Sequence, residues 1–222
     1  MSNKFNDYLY QKRFLFFLIA QLLALFGPVF FPAGVTVQFN LVSYILFFLS
    51  GINLMRGNRW LFWTVSVLFF IVFSLMLFNY STSLQDSKGN SILLPLIFCI
   101  FTYSLFVQLL NAKEIDNGIL MASLSALISI GMIGARIYLF VEEIQPGSFS
   151  NLTANPKDDL VYFSFVTMFT IGYGDIVPVS GYARNVTVLL SLVGHFYSVV
   201  IMAIIIGKYL GARNTDSKNS SG

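Results

Sequence analysis

Apolar residues gather into six long runs along this chain, separated by short polar segments. The runs extend from about Phe14 to Phe30, Gln38 to Met55, Trp60 to Asn79, Ile92 to Leu110, Ile119 to Val141 and Val186 to Lys208. Runs of ~18 or more apolar residues with few charges are long enough to cross a bilayer as helices, so the pattern predicts six transmembrane helices. A shorter apolar stretch follows Asn155-Pro156. Asn is a good N-cap, Pro suits the first helical position, and Asp158 sits three residues after Asn155 as in a capping box. A short helix, too short to span, is therefore expected from about Pro156 to Phe169.

Composition agrees: 56% of residues are hydrophobic and 10% charged, far from a soluble domain. The net charge of +3 then reports topology and not a nucleic-acid partner. With both termini cytoplasmic, the inner segments carry Lys4, Lys12, Arg13, Arg56, Arg59, Lys113, Lys208, Arg213 and Lys218, and the outer ones Lys88, Lys157 and Arg184. Nine against three obeys the positive-inside rule and predicts a multi-pass protein of the cell (plasma or inner) membrane. The single cysteine, Cys99, lies in an apolar run and implies no disulfide. Two glycosylation sequons, at Asn79 and Asn151, fall on the expected outer side and are read as chance in Asn-rich loops.

After the short helix comes Thr170-Ile171-Gly172-Tyr173-Gly174-Asp175. Glycine at alternate positions lets a strand visit dihedrals that L side chains resist, turning successive carbonyls to one side as ligands for a dehydrated cation. The motif and its flanks, Leu160 to Pro178, resemble the pore helix, filter and exit strand of the tetrameric potassium channels, whose mechanism of ion selectivity is known. The resemblance covers roughly residues 119 to 210. It implies an all-α integral membrane protein with six transmembrane helices, a re-entrant pore helix and a selectivity filter, assembled as a homotetramer in membrane lipid. Potassium would be held by the backbone carbonyls of Thr170, Ile171, Gly172 and Tyr173, with Gly174 completing the filter; K+ is the permeant ion and no cofactor is expected. Domains follow as a four-helix bundle over 1–111, a linker over 112–118, a pore domain over 119–210 and a tail over 211–222, the tail being too short for a soluble regulatory module.

Departures from the family surround the filter. Val166 stands where some members place an acid that contacts the filter aspartate, so Asp175 needs another partner, for which Tyr162 is available. Phe169 replaces a small or hydroxyl residue at the cavity roof. Gly194 falls where the family has its inner-helix hinge, close helix packing being the alternative. Ser191, His195, Ser198 and Met202 share one helical face, expected to line the cavity, where His195 either senses pH or serves as a neutral lining residue. Arg136 is the one charge well inside a span, and either snorkels outward or pairs with Glu142, Glu143 or Asp159. Span four has no basic residue, which excludes an arginine voltage sensor. No nucleophile–base set, metal-ligand cluster or phosphate loop points to an enzyme. The expected function is passive, potassium-selective conduction. The alternatives are a non-conducting accessory subunit and a channel with unconventional voltage or pH gating. Composition further suggests a prokaryotic source.

Overall fold

A computed structural model describes residues 9–30, 36–55, 60, 62–64, 66–68, 70, 71, 74, 88–112 and 116–219. Its helices are α1 (Arg13–Phe30), α2 (Thr36–Leu54), α3 (Lys88–Asn111), α4 (Asn117–Ile144), α5 (Pro156–Met168) and α6 (Gly181–Asn219), with a two-residue strand β1 (Phe149–Ser150) before α5 and another, β2 (Val177–Pro178), after it. The described residues between 60 and 74 are also helical, but most of the expected third span, with the Asn79 sequon, lies outside the described residues. Among those described, α4 and the Gly181–Gly207 part of α6 are long and apolar enough to cross a membrane; α1, α2 and α3 contain shorter apolar helices.

Helix boundaries have local causes. Asp116 precedes α4, and its Oδ1 accepts the Ile119 amide at 2.8 Å, satisfying one of the donors a helix start leaves open. The Asn155 cap works differently from the expected capping box. Its side chain makes no cap bond to the helix backbone and donates to the Asp158 carboxylate instead, a charged acceptor being the stronger one. Pro156 has no N–H to leave unsatisfied, and the Asp159 carboxylate accepts from the Thr153 amide. The expected end near Phe169 is one residue past the observed Met168.

Two compact units emerge, Met1–Phe73 with Ile100–Ala126, and Ser74–Cys99 with Leu127–Gly222. The division runs through α3 and α4, each of which contributes to both. In the first unit the rings of Phe17, Phe47 and Phe101 pack with centroids 5.2 to 5.3 Å apart and are fully buried. In the second, Tyr138 of α4, Phe149 of β1 and Phe163 of α5 form another aromatic triangle, 5.1 to 5.5 Å on a side. Leu160, Ile176 and Ala183 complete that core, so it joins both ends of the 170–175 segment to the long helices around it. Offset and edge-on ring pairs add roughly 0.5–1.5 kcal/mol each beyond burial.

Candidate functional site

The 170–175 segment begins at the carboxyl end of α5. Phe169 closes the helix with its amide on the Phe165 carbonyl at 2.9 Å. Thr170 then adopts φ +58°, and the next amides turn back: Thr170 N–H to Thr167 O at 3.0 Å and Ile171 N–H to Val166 O at 3.0 Å. These two bonds are those of a Schellman cap, with threonine where glycine is usual. A β-branched residue in the left-handed region costs about 1–2 kcal/mol, and such strain marks sites where backbone shape matters more than comfort.

Positive φ recurs at Gly172 (+57°) and Gly174 (+79°), with Ile171 and Tyr173 between them outside that region. Every second residue from 170 to 174 is therefore left-handed. Such alternation swings successive peptide groups to a common side, which an ordinary strand cannot do. The Val166 carbonyl also accepts the Gly172 amide at 3.3 Å, so one carbonyl near the end of α5 anchors two amides of the segment. Val166 itself is buried, whereas residues 169–175 are all exposed.

Beyond the glycines the chain is held from three directions. The Tyr162 hydroxyl donates to Asp175 Oδ2 at 2.7 Å, which supplies the partner that Val166 does not. That hydrogen bond holds the Asp175 carboxyl below its ordinary value and raises the Tyr162 hydroxyl to about 12. Asn151 donates its side-chain amide to the Asp175 carbonyl at 2.8 Å while sitting at φ +59°. The sequon nitrogen is thus engaged with the end of the 170–175 segment. Finally β1 pairs antiparallel with β2, Phe149 opposite Pro178 and Ser150 opposite Val177; the Ser148 carbonyl accepts the Val179 amide at 2.8 Å.

Glu142 shapes the turn before β1, its two oxygens accepting the Gly147 and Phe149 amides at 2.7 and 3.1 Å. Arg136 is half-buried on α4. Ser164 of α5 donates to the Gly131 carbonyl of α4 at 2.7 Å. On α6, Gly194 is buried, and a Cβ there would lie 2.5 Å from Met168 Cγ; at this position glycine serves close packing against the end of α5. His195, Ser198 and Met202 are exposed and Ser191 is half-buried. Ser191 and Ser198 donate to the carbonyls of Thr187 (2.7 Å) and Gly194 (3.0 Å) on their own helix. Among the described residues no three His, Cys, Asp or Glu side chains group as a metal site.

Residues 124–210 match a family described as ion channel. This stretch is similar to ion-channel domains. The chain is 32% identical over 152 residues to the voltage-gated potassium channel Kch of Escherichia coli (strain K12), across 65% of this chain and 32% of that one. It is 28% identical over 98 residues to the two-pore potassium channel 5 of Arabidopsis thaliana, across 44% of this chain and 23% of that one. The chain thus spans a third or less of the length of these curated relatives. No solved structure matches it significantly.

The matched stretch takes in the second core, α5, the strained segment and most of α6, so it contains every contact just described except those of the first unit. Ser148 and Ser164, and the contacts that Asn151 and Glu142 make, escape a reading of the sequence because each acts through polar contacts in a loop or between helices, with no periodicity to announce them. Only Ser164, a polar residue on a helix packed among apolar ones, leaves a trace in the pattern.

Proposed function

We propose that four copies of this chain assemble around one axis as a potassium-selective channel. K+ passes the backbone oxygens of Thr170, Ile171, Gly172 and Tyr173, and Gly174 and Asp175 close the outer end. The observation that carries this reading is the alternation of left-handed residues at 170, 172 and 174 in a segment exposed on a single chain. One strand offers oxygens from one side; a dehydrated cation needs a ring of them, and cyclic symmetry supplies it. The sparse burial of α6 supports the same assembly, since most of its surface is open to lipid or to other copies.

In this reading six helices span the cell membrane of a prokaryote with both termini cytoplasmic. Phe169 roofs the cavity, and Ser191, His195, Ser198 and Met202 line it. The two serines spend their protons on their own helix and turn lone pairs outward, which suits a cation. Gating charge would have to cross the field to confer voltage dependence, at ~2.3 kcal/mol per charge per 100 mV, and span four has none to offer. Current should therefore vary only shallowly with voltage.

Reconstitution in planar bilayers tests the proposal through the reversal potential under bi-ionic potassium/sodium conditions. Potassium selectivity is expected for the wild type. Gly174→Ala should abolish it, because alanine at φ +79° is strained by about 1–2 kcal/mol in each subunit. Equal permeability of the two ions, or an unaffected Gly174→Ala, would sink the filter reading.

A further inference from the structure

The first unit holds a feature that conduction does not use. A cavity of about 460 Å³ lies between the start of α1, the end of α2, the end of α3 and the start of α4, and Arg13 reaches into it. We propose that this cavity binds the phosphate of an anionic phospholipid headgroup, with Arg13 as its principal ligand. The proposal relies on the membrane reading above but not on potassium conduction.

Arg13 is held in place before any ligand arrives. Its Nε donates to Gln108 Oε1 at 3.1 Å and its Nη1 to the Tyr10 carbonyl at 3.0 Å. Gln108 is itself tied down, donating to Ser104 Oγ at 3.1 Å. The guanidinium carbon sits 4.2 Å from the Tyr10 ring centroid and 4.4 Å from that of Phe14, so both rings stabilise the cation. A guanidinium has five N–H donors. Two are used, and among the described residues the remaining three have no acceptor. The cation is half-buried, and among the described residues no carboxylate lines the cavity. Asp116, close to the lining residue Ile119, spends an oxygen on capping α4.

A fixed fork with spare parallel donors matches the oxygens of a phosphate better than any uncharged group. The surroundings favour a lipid over a free phosphate. Apolar lining from Leu54, Met55 and Val107 gives glycerol and the first acyl carbons a place that inorganic phosphate cannot use. In sequence the lining residues are flanked by more basic than acidic residues: Lys12, Arg56, Arg59 and Lys113 against Asp7, Glu114 and Asp116, with Arg13 itself adding to the balance. By the positive-inside rule these belong at the cytoplasmic surface, where anionic headgroups are met.

The test is binding to the full chain purified in neutral detergent, read as the thermal unfolding midpoint. Titrants are dioctanoyl phosphatidic acid, dioctanoyl phosphatidylcholine and inorganic phosphate. Phosphatidic acid should raise the midpoint saturably and the other two should not. Arg13→Gln should weaken that response by about tenfold or more, as loss of a charge-assisted contact implies, and the exposed Lys12→Gln should change it little. Val107→Trp, which fills the cavity and leaves the charge, should block binding too and decides the matter if Arg13→Gln fails to fold. Equal action of inorganic phosphate would make this a phosphate site and overturn the lipid assignment. Equal action of phosphatidylcholine, or an unchanged response in either cavity variant, would overturn the site altogether. Since no current is measured, a channel that fails to conduct leaves this result standing.

Discussion

Helices α4 and α6 are both long and apolar, yet the chain buries them very differently. In α4, 61% of the most apolar window is buried; in α6, the more apolar of the two by mean hydropathy, 11% is. α4 packs Tyr138 and Leu139 into the aromatic core beside the 170–175 segment. α6 commits only a narrow stripe to its own chain: Ala183, Gly194 and Ile201 are buried at spacings of eleven and seven, whole numbers of turns. Val188, Leu189, Leu192, Val193, Phe196 and Val199 stay exposed. Apolar composition says that a helix avoids water; burial says what it uses to do so. For α4 the answer is this chain, and for α6 it lies outside it.

The sharpest way to break that contrast is at the stripe where α6 does touch its own chain. Gly194→Leu forces a side chain to within 2.5 Å of Met168. Overpacking of this kind costs about 1–3 kcal/mol, repeated in each copy, and should lower the unfolding midpoint and dissolve any assembly seen by size-exclusion chromatography. Gly207→Ala is its control on the same helix. Nothing lies within 4 Å of the added methyl, and alanine is the better helix former by roughly 1 kcal/mol, so that variant should be neutral or stabilised. Equal behaviour of the two would mean that the α5–α6 contact does not organise the domain.

A smaller effect is expected at the end of the 170–175 segment, where Tyr162 of α5 meets Asp175. The Asp175 carboxyl is held below its ordinary value by the Tyr162 hydroxyl. A depressed carboxyl favours the folded contact at any pH above the ordinary carboxylate range, and the contact is lost as pH falls through its lowered value. External acidification should therefore leave single-channel current steady until below the usual carboxylate range. Tyr162→Phe removes the donor, so the acid midpoint should move up toward the ordinary value. An unmoved midpoint in Tyr162→Phe would show that the hydroxyl is not what holds Asp175.

The smallest difference compares two serines. Ser164 links α5 to the Gly131 carbonyl of α4 across a buried boundary, whereas Ser191 only bonds back along α6. Ser164→Ala should cost about 1 kcal/mol, because a buried hydrogen bond between the two helices is lost. Ser191→Ala should stay within about 0.5 kcal/mol. Thermal unfolding of the two variants side by side reads the difference, and a larger loss for Ser191→Ala would mean that α6 is more constrained than its burial implies.

Much of the second unit was legible before any coordinates. The run from Ile119 to Val141 lies within α4, and the helix expected from Pro156 ends within a residue of its predicted stop, because apolar periodicity, proline and the end of a run act locally. At Gly194 two readings stood side by side, and the contact with Met168 speaks for packing. Asn155 illustrates the opposite case. Its identity announced a cap, but the choice between a backbone amide and the Asp158 carboxylate depended on where the loop carried its side chain.

Alternating glycines, the threonine before them and the apolar runs on either side are properties of the sequence alone. They determined a segment able to hold left-handed residues and a pair of long apolar helices around it, since steric freedom and hydrophobicity belong to the residue. Tertiary structure decided what grips that segment. The Val166 carbonyl, the Tyr162 hydroxyl, the Asn151 amide and the pairing of β1 with β2 join residues five to twenty-nine positions apart. Hydrogen bonds of that reach are short and directional, so they exist only once the aromatic core of Tyr138, Phe149 and Phe163 has brought their partners together.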